Sequence, residues 1–305
     1  MVAVQEKTIY GIAPLVSVEG LIEFIGSKHF DYGMFICAGR KAEITDLFFE
    51  KLEDCLHSGN LKCNLKNIPV WSSQYLLFKE RAQKTNNALC RELVTTATVR
   101  LTEYASFEDY RMSISASLRK KSIKPCLNSD ISYSVEPYSE MIWQQIEGIY
   151  ERRMEDRIGK SSLSWAKDVI RDLNAVGLLR IGLLKYREEY TAFIVYFVFG
   201  KTYSVWLTAF RAMDGYRFGH YIRYCLIQEA FSQKIEKVDM MRGAYQYKRE
   251  WDAGISCNIE FRTFSGFLGK TAYSIKMQLR QSLRDIIYQS KILKSIYKKL
   301  SKLRN

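Results

Sequence analysis

The sequence predicts a mixed α/β (α+β) fold in which a mainly antiparallel sheet is flanked by helices. Three apolar runs, at 178–186, 190–199 and 203–210, follow one another with three-residue turns, and connections this short join antiparallel neighbours. The periodicity then changes to that of a helix over 219–233. From residue 178 we therefore expect the order strand, strand, strand, helix, strand, short helix, strand.

The part of the chain before residue 110 predicts a smaller α/β unit. Residues 8–17 and 20–26 are expected to pair as strands around a Val-Glu-Gly turn. Residues 41–59 place apolar side chains at helical spacing and end on a glycine, which is a helix stop signal. A strand is expected over 92–104, where apolar and polar residues alternate.

Three helices are predicted between these two regions. A capping box opens the first, over 106–127, and we expect it to end before Pro125 because the residue before a proline disfavours the helical conformation. The second covers 138–156 and the third 161–175, which ends near Gly177.

Composition excludes several classes of protein. A chain of 305 residues with 47% hydrophobic and 26% charged residues fits one large or two medium globular domains. No apolar segment follows the first ten residues, so no signal peptide is expected. The longest apolar run, 190–200, is shorter than the roughly 20 residues of a spanning helix. Seven cysteines without a C-x-x-C pair, and only three histidines, predict reduced thiols in the cytoplasm and no metal site.

The basic residues are concentrated at the C-terminus. Residues 270–305 contain ten Lys or Arg and one acid, and so carry +9 of the net charge of +13. A nucleic-acid partner is therefore not expected from overall charge. The segment predicts a basic amphipathic helix, which could pack on the body, lie on an anionic membrane surface or bind nucleic acid. Its apolar stripe is Leu279, Leu283, Ile286, Leu293, Ile296 and Leu300.

Two segments contain candidate functional residues. In "VDMMRGAYQYKREW" (238–251), Asp239 stands inside a predicted strand and needs a partner there, either Arg242 or Lys248. A structural ion pair would explain it equally well. The loop before the helix at 219–233 contains glycine and Arg217, which is typical of an anion site at a helix N-terminus but also of a simple hinge.

On these residues the sequence resembles the GNAT superfamily of N-acyltransferases. More narrowly, it resembles the acyltransferase family of bacterial cellulose and exopolysaccharide gene clusters, over about residues 10–265. Its signature is matched by Asp239, Arg242, Gly243, Tyr247, Lys248 and Trp251, and a second segment by Asp214, Tyr216 and Gly219. The sequence departs from the family at Arg217-Phe218, where a Ser-Pro pair is usual, and at Ala244, where an acid is usual.

The resemblance implies two tandem GNAT-like halves, the first truncated. The expected domains are an incomplete N-terminal half at 1–115, a catalytic half at 116–268 and the basic helix at 269–305. The expected reaction moves an acyl group from acyl-CoA to an amine, such as an amino sugar in polysaccharide or surface-glycan biosynthesis. Acetyl-CoA is the expected donor, while the acyl chain length and a carrier-protein donor are left open. The alternatives are a Fem-type aminoacyltransferase that uses aminoacyl-tRNA and a non-catalytic GNAT-like binding module.

The resemblance also assigns roles to residues. Asp239 is expected to act as the base and Tyr247 as the acid that protonates the leaving thiolate. Substrate binding is expected from Arg242, Lys248 and Arg153, and cofactor binding from Arg217, Phe218, Gly219, His220 and Tyr221. No metal is expected, the oligomeric state is left open, and the expected location is the cytoplasm or the inner membrane face.

Overall fold

The polypeptide crosses between two units twice. The computed structural model describes residues 1–26, 31–38, 41–58, 61–127, 130–158, 162–243 and 246–289. The first unit holds residues 1–95 and the described residues from 256 onward, and the second holds residues 96–255. The boundaries of the two units, after residues 95 and 255, differ from the expected domain boundaries after residues 115 and 268. The expected domains stay a prediction.

The first unit contains two groups of strands and three helices. One group is a three-stranded antiparallel sheet in the order β1-β2-β5, and the other has the neighbour order β3-β4-β6-β13. The strands are β1 (Val2–Gln5), β2 (Thr8–Ile12), β3 (Leu15–Val18), β4 (Leu21–Phe24), β5 (Ile36–Cys37), β6 (Lys62–Pro69) and β13 (Gly254–Thr263), and the helices are α1 (Lys41–Ser58), α2 (Ser73–Lys84) and α10 (Phe267–Gln289). The long strand β7 (Ala88–Arg100) leads the chain into the second unit.

Aromatic packing joins the helices and strands of the first unit. Phe49 of α1 lies 5.0 Å from Phe78 of α2 between ring centroids, and Phe261 of β13 lies 5.2 Å from Phe78. All three side chains are buried. Such ring pairs add to the hydrophobic stabilisation from burial alone.

The second unit contains one sheet with helices on both faces. Its strand order is β7-β12-β11-β10-β9-β8, and within it only β11 and β12 run parallel among the described pairs. The strands are β8 (Ile131–Glu136), β9 (Leu179–Tyr186), β10 (Glu189–Phe199), β11 (Thr202–Phe210) and β12 (Lys237–Arg242). The helices are α3 (Phe107–Ser113), α4 (Ala116–Leu118), α5 (Lys124–Leu127), α6 (Glu140–Ile158), α7 (Lys167–Ala175), α8 (Phe218–Ser232) and α9 (Gln246–Arg249).

Alternating residues of the central strand β10 belong to two separate cores. Ile194 and Tyr196 pack in the core that contains α8 and the helices α3 to α5. Phe193 and Val195 pack in the core that contains α6 and α7. A strand buried on both faces is apolar throughout, which explains why β10 reads as an uninterrupted apolar run.

The expected fold class and the expected order of elements from residue 178 are confirmed. The strand β8 was not predicted. The helix expected over 106–127 is broken after Ser113, and it was wrong to end it before Pro125, which lies within α5. A π-helical turn at Arg119–Ile123 precedes this proline and shifts the hydrogen bonding by one residue, so that the Lys124 N–H bonds the Arg119 carbonyl. None of the helices in the described part of the chain is both long enough and apolar enough to cross a membrane.

Candidate active site

The parallel strands β11 and β12 pair at one end and separate at the other. Their ladder consists of Thr202 with Lys237, Tyr203 with Val238 and Ser204 with Asp239. Beyond Ser204, β11 continues to Phe210 paired with β10 on its other side. Among the described strand pairs, the backbone edge of β11 that faces β12 has no partner beyond Ser204, and Asp239 stands where the two strands part.

A β-bulge in β11 lies just past this point of separation. Val205 pairs with Tyr196 and Leu207 with Val195, so Trp206 has no opposite residue on β10. A bulge leaves its extra residue out of the ladder and changes the direction of the neighbouring backbone groups. The mouth of the gap thus has an irregular backbone edge.

Asp239 stabilises a bend in β12. Its carboxylate, which is 7% exposed, accepts a hydrogen bond of 2.7 Å from the Met241 backbone N–H. Met241 has a φ of +62°, which is unfavourable for a residue with a side chain. The pairing with β7 is irregular between Asp239 and Arg242. The hydrogen bond from the Met241 N–H to the Asp239 carboxylate therefore stabilises the bend.

Lys248 of α9 holds the end of the same strand. Its ammonium group, in a side chain only 2% exposed, donates to the backbone carbonyls of Met240, Met241 and Arg242 at 2.5, 2.9 and 2.6 Å. An ammonium has three N–H donors, so these bonds match its full number. Lys248 therefore supports the strand end, and a substrate contact from it stays a prediction.

Tyr247 lies beside two residues of α8. The guanidinium carbon of Arg223 is 5.0 Å from the centre of the Tyr247 ring, and the His220 ring meets that ring nearly at a right angle, with centroids 6.1 Å apart. Arg223 also donates a hydrogen bond to the Gly219 carbonyl. Burial lowers the pKa of Arg223, and among the described residues no carboxylate forms an ion pair with it. The face of an aromatic ring is a favourable place for such a cation.

His220 is a neutral imidazole in an enclosed place. Burial, together with the charges of Arg223 and Arg217, lowers the pKa of His220 to about 4. Its ring stacks on Trp251 with centroids 6.1 Å apart and an interplanar angle of 21°. Its Nδ1 atom is buried and has no hydrogen-bond partner among the described residues. Such a group can accept or donate a bond to a ligand.

A pocket of about 420 Å³ opens at the N-terminus of α8. Arg217 occupies the N-cap position and provides no side-chain cap, and the first turn of α8 contains no acidic residue, so the positive end of the helix dipole favours an anion there. The pocket is lined by Phe210, Ala212, Met213, Asp214, Tyr216, Arg217, Gly219 and His220.

Phe210 lies between Gly219 and Arg153. A Cβ atom added to Gly219 would lie 2.3 Å from Cε1 of Phe210, so only glycine allows this ring to rest on the first turn of α8. The guanidinium carbon of Arg153, on α6, is 4.3 Å from the centre of the same ring. The ring therefore links the predicted substrate residue Arg153 to the pocket wall.

The structure brings some of the predicted residues together. Arg217, Gly219 and His220 line the pocket, and Tyr247 joins it through the His220 ring. The side chains of Phe218 and Tyr221 are in the core, and burial raises the pKa of Tyr221. Any cofactor contact from these two would therefore come from the backbone.

Three features of the site were not predicted from the sequence: Arg223, Phe210 and the bulge at Trp206. Arg223 follows Gly219 by four residues, which places it over the first turn of the helix, so spacing alone could have identified it. Within the described ranges, no group of three or more His, Cys, Asp or Glu side chains could hold a metal ion.

The middle of the chain resembles a known domain family. Residues 138–249 match the family model of the acetyltransferase (GNAT) domain. No curated protein matches the sequence. The fold is similar to that of FemX, with a TM-score of 0.62 at 10% identity over 85% of this chain and 86% of FemX.

Two further solved structures share the fold. L-PGS from Bacillus licheniformis has a TM-score of 0.61 at 14% identity, over 82% of this chain and 80% of that one. A tandem GNAT protein from the clavulanic acid biosynthesis pathway has a TM-score of 0.51 at 10% identity, over 87% of this chain and 82% of that one. Residues 138–249 therefore match a GNAT acetyltransferase domain, and the chain shares the fold of these three structures.

Proposed function

We propose that this protein transfers an acetyl group from acetyl-CoA to an amine acceptor. The observation that carries the proposal is the gap between β11 and β12 beside the pocket at the N-terminus of α8. An extended donor arm can pair with the open edge of β11 as an added strand would. Its phosphates then meet the first turn of α8 and Arg217, where a helix dipole and a cation both favour anions.

The chemistry proposed for the site is direct transfer. The amine attacks the thioester carbonyl, the C–N bond forms, the C–S bond breaks and the thiolate leaves. Asp239 takes the proton from the attacking ammonium, directly or through water, and the Tyr247 phenol protonates the thiolate. Backbone N–H groups next to the Trp206 bulge would stabilise the developing oxyanion.

The acceptor is proposed to be an amino sugar of a polysaccharide or surface-glycan pathway. This part depends on the resemblance of residues 238–251 to the exopolysaccharide-cluster family. Arg242, at the end of β12, would bind an anionic group of that acceptor. We also propose that the protein acts in the cytoplasm, since all seven of its cysteines are free thiols.

A second candidate is a Fem-type aminoacyltransferase with an aminoacyl-tRNA donor. The fold similarity to FemX supports it. The two candidates differ in the donor, so donor binding separates them. A non-catalytic module would bind neither donor productively.

Titration calorimetry with acetyl-CoA tests the proposal. We expect saturable binding by the full chain at both 50 and 300 mM NaCl, between which the Debye length shortens about 2.5-fold, and loss of binding in Gly219→Trp. The matched control is Gly148→Trp on α6, because a Cβ atom added at Gly148 meets no other atom within 4 Å. Absence of binding by the wild type would favour an aminoacyl-tRNA donor. Binding that fades with salt and survives Gly219→Trp would be nonspecific charge attraction.

A further inference from the structure

The helix α10 is fixed to the first unit by one of its faces. The Tyr273 hydroxyl donates to the buried carboxylate of Glu260 at 3.1 Å and accepts from Arg91 at 3.1 Å. The guanidinium carbons of Arg91 and Arg262 lie 5.6 and 4.6 Å from the centre of the Tyr273 ring. Phe264 completes these contacts, with its ring 5.3 Å away. These interactions set the rotation of the helix about its own axis.

The opposite side of α10 exposes a row of large apolar side chains. Leu268, Ile275, Leu279 and Leu283 are 83, 52, 60 and 58% exposed. Their spacing of seven, four and four residues places them on one stripe of a helix. Tyr273 is well away from this stripe at 100° per residue. We call these four residues the α10 stripe. Two of them, Leu279 and Leu283, were predicted from sequence, and the other predicted stripe positions lie beyond the side chains that the structure describes.

Basic residues border the α10 stripe. Lys276 and Arg280 are exposed and each follows a stripe residue by one position, about 100° further round the helix. Long basic side chains beside an apolar stripe can extend their charges to the surface while their stems stay apolar. The sequence of 270–305 as a whole has ten basic residues and one acid.

We propose that the α10 stripe docks on the surface of an anionic lipid bilayer. The apolar side chains would enter the boundary between headgroups and acyl chains, and the basic border would face the anionic headgroups. A second copy of the chain is a poorer occupant, because it would bring a segment of the same charge, +9, against this one. Nucleic acid would match the charge but would leave four exposed apolar side chains unused.

Vesicle sedimentation with the full chain tests the proposal. The probes are vesicles of phosphatidylcholine alone and of phosphatidylcholine with 30% phosphatidylglycerol, at 100 mM NaCl. We expect binding to the anionic vesicles that is at least about tenfold stronger than to the neutral ones. The triple variant Ile275→Ser/Leu279→Ser/Leu283→Ser should weaken that binding at least about tenfold.

A matched control keeps the test specific. Leu76→Ser removes an apolar side chain that is 66% exposed on α2 and should bind vesicles like the wild type. Because the stripe residues are exposed, the triple variant should keep its circular dichroism spectrum and its acetyl-CoA binding. Absence of binding to anionic vesicles overturns the proposal. So does anionic binding that the triple variant retains, or a wild-type dimer that the triple variant abolishes, or binding to RNA that outcompetes the vesicles.

Discussion

The two ends of α8 contain opposite kinds of polar site. Near its C-terminus, Glu229 accepts hydrogen bonds from the hydroxyls of Tyr133, Tyr196 and Tyr203 at 2.8, 2.9 and 3.3 Å, and Arg180 lies 3.5 Å away. Near its N-terminus, the polar atoms Nδ1 of His220 and Nε1 of Trp251 are buried without a hydrogen-bond partner among the described residues. The cations Arg217 and Arg223 belong to this end as well.

This difference separates a structural network from a binding site. A half-buried carboxylate such as Glu229, with several hydroxyl donors, is a satisfied group that stabilises the fold. Buried donors and acceptors that find no partner in the described ranges, together with a cation to which those ranges supply no carboxylate, destabilise the free protein. Their presence is explained if a ligand supplies the missing partners. The comparison therefore predicts that variants at the two ends move stability and activity in different directions.

The largest effect on stability is expected near the C-terminus of α8, where Glu229 accepts its hydrogen bonds. Glu229→Ala would leave three tyrosine hydroxyls and Arg180 without their acceptor, so it should lower the free energy of unfolding by about 3 kcal/mol. Urea denaturation measures this. The control is Glu236→Ala, whose exposed pair with Lys201 should contribute little. Equal losses in the two variants would remove the distinction between the ends.

The next effect concerns catalysis. Asp239→Asn keeps an oxygen that can accept the Met241 N–H but loses the base, so kcat should fall about 100-fold while acetyl-CoA binding and the urea midpoint stay close to those of the wild type. Steady-state kinetics measures kcat, titration calorimetry measures acetyl-CoA binding, and urea denaturation gives the midpoint. Normal turnover in this variant would exclude Asp239 as the base.

A smaller effect is expected at Arg223, where stability and turnover should change in opposite directions. Arg223→Met removes a half-buried cation that has no carboxylate partner in the described part of the chain, so stability should hold or rise. Turnover should fall about tenfold, because Tyr247 loses the cation that lies over its ring. Arg223→Lys should recover part of the activity. A loss of stability comparable to that of Glu229→Ala would make Arg223 a structural residue.

The smallest effect is a change in the pH dependence of stability. The pKa of His220 is about 4 in the folded protein and about 6.5 when unfolded, so the unfolded chain takes up the proton first as pH falls. The favourable contribution of the neutral ring is present above pH 6.5 and is lost between pH 6.5 and 4. His220→Gln should reduce that acid-side loss by about 1 kcal/mol, after allowance for partial exposure. Identical pH profiles for the two proteins would contradict the enclosure of His220.

Local patterns explain what the sequence predicted well. The strands β9, β10 and β11 are confirmed because short turns and apolar runs are properties of neighbouring residues. The role of Lys248 was not evident, because its three carbonyl acceptors are six to eight residues away and depend on the bend in β12. Pro125 was misread because the π-helical turn before it has no sequence signature.

The site was predictable only in part, because several of its contacts join residues that are far apart in the sequence. Gly219 and Arg217 stand in a recognisable loop, but the contact of Gly219 with Phe210 and that of Phe210 with Arg153 join three separate elements. The separation of β11 from β12 depends on where pairing stops, which no single strand sequence encodes. The roles assigned to Asp239, Tyr247 and Arg242 stay predictions.

The pairing of β6 with β13 has a consequence for biosynthesis. The Cys63 backbone N–H donates a 2.8 Å hydrogen bond to Thr263 Oγ1, across a separation of 200 residues. During translation at about 5–20 residues per second, β6 waits roughly 10 to 40 s for the strand that covers its edge. The unit that the ribosome begins first is therefore completed last, and in the meantime the nascent chain exposes an unpaired strand edge that chaperones can protect.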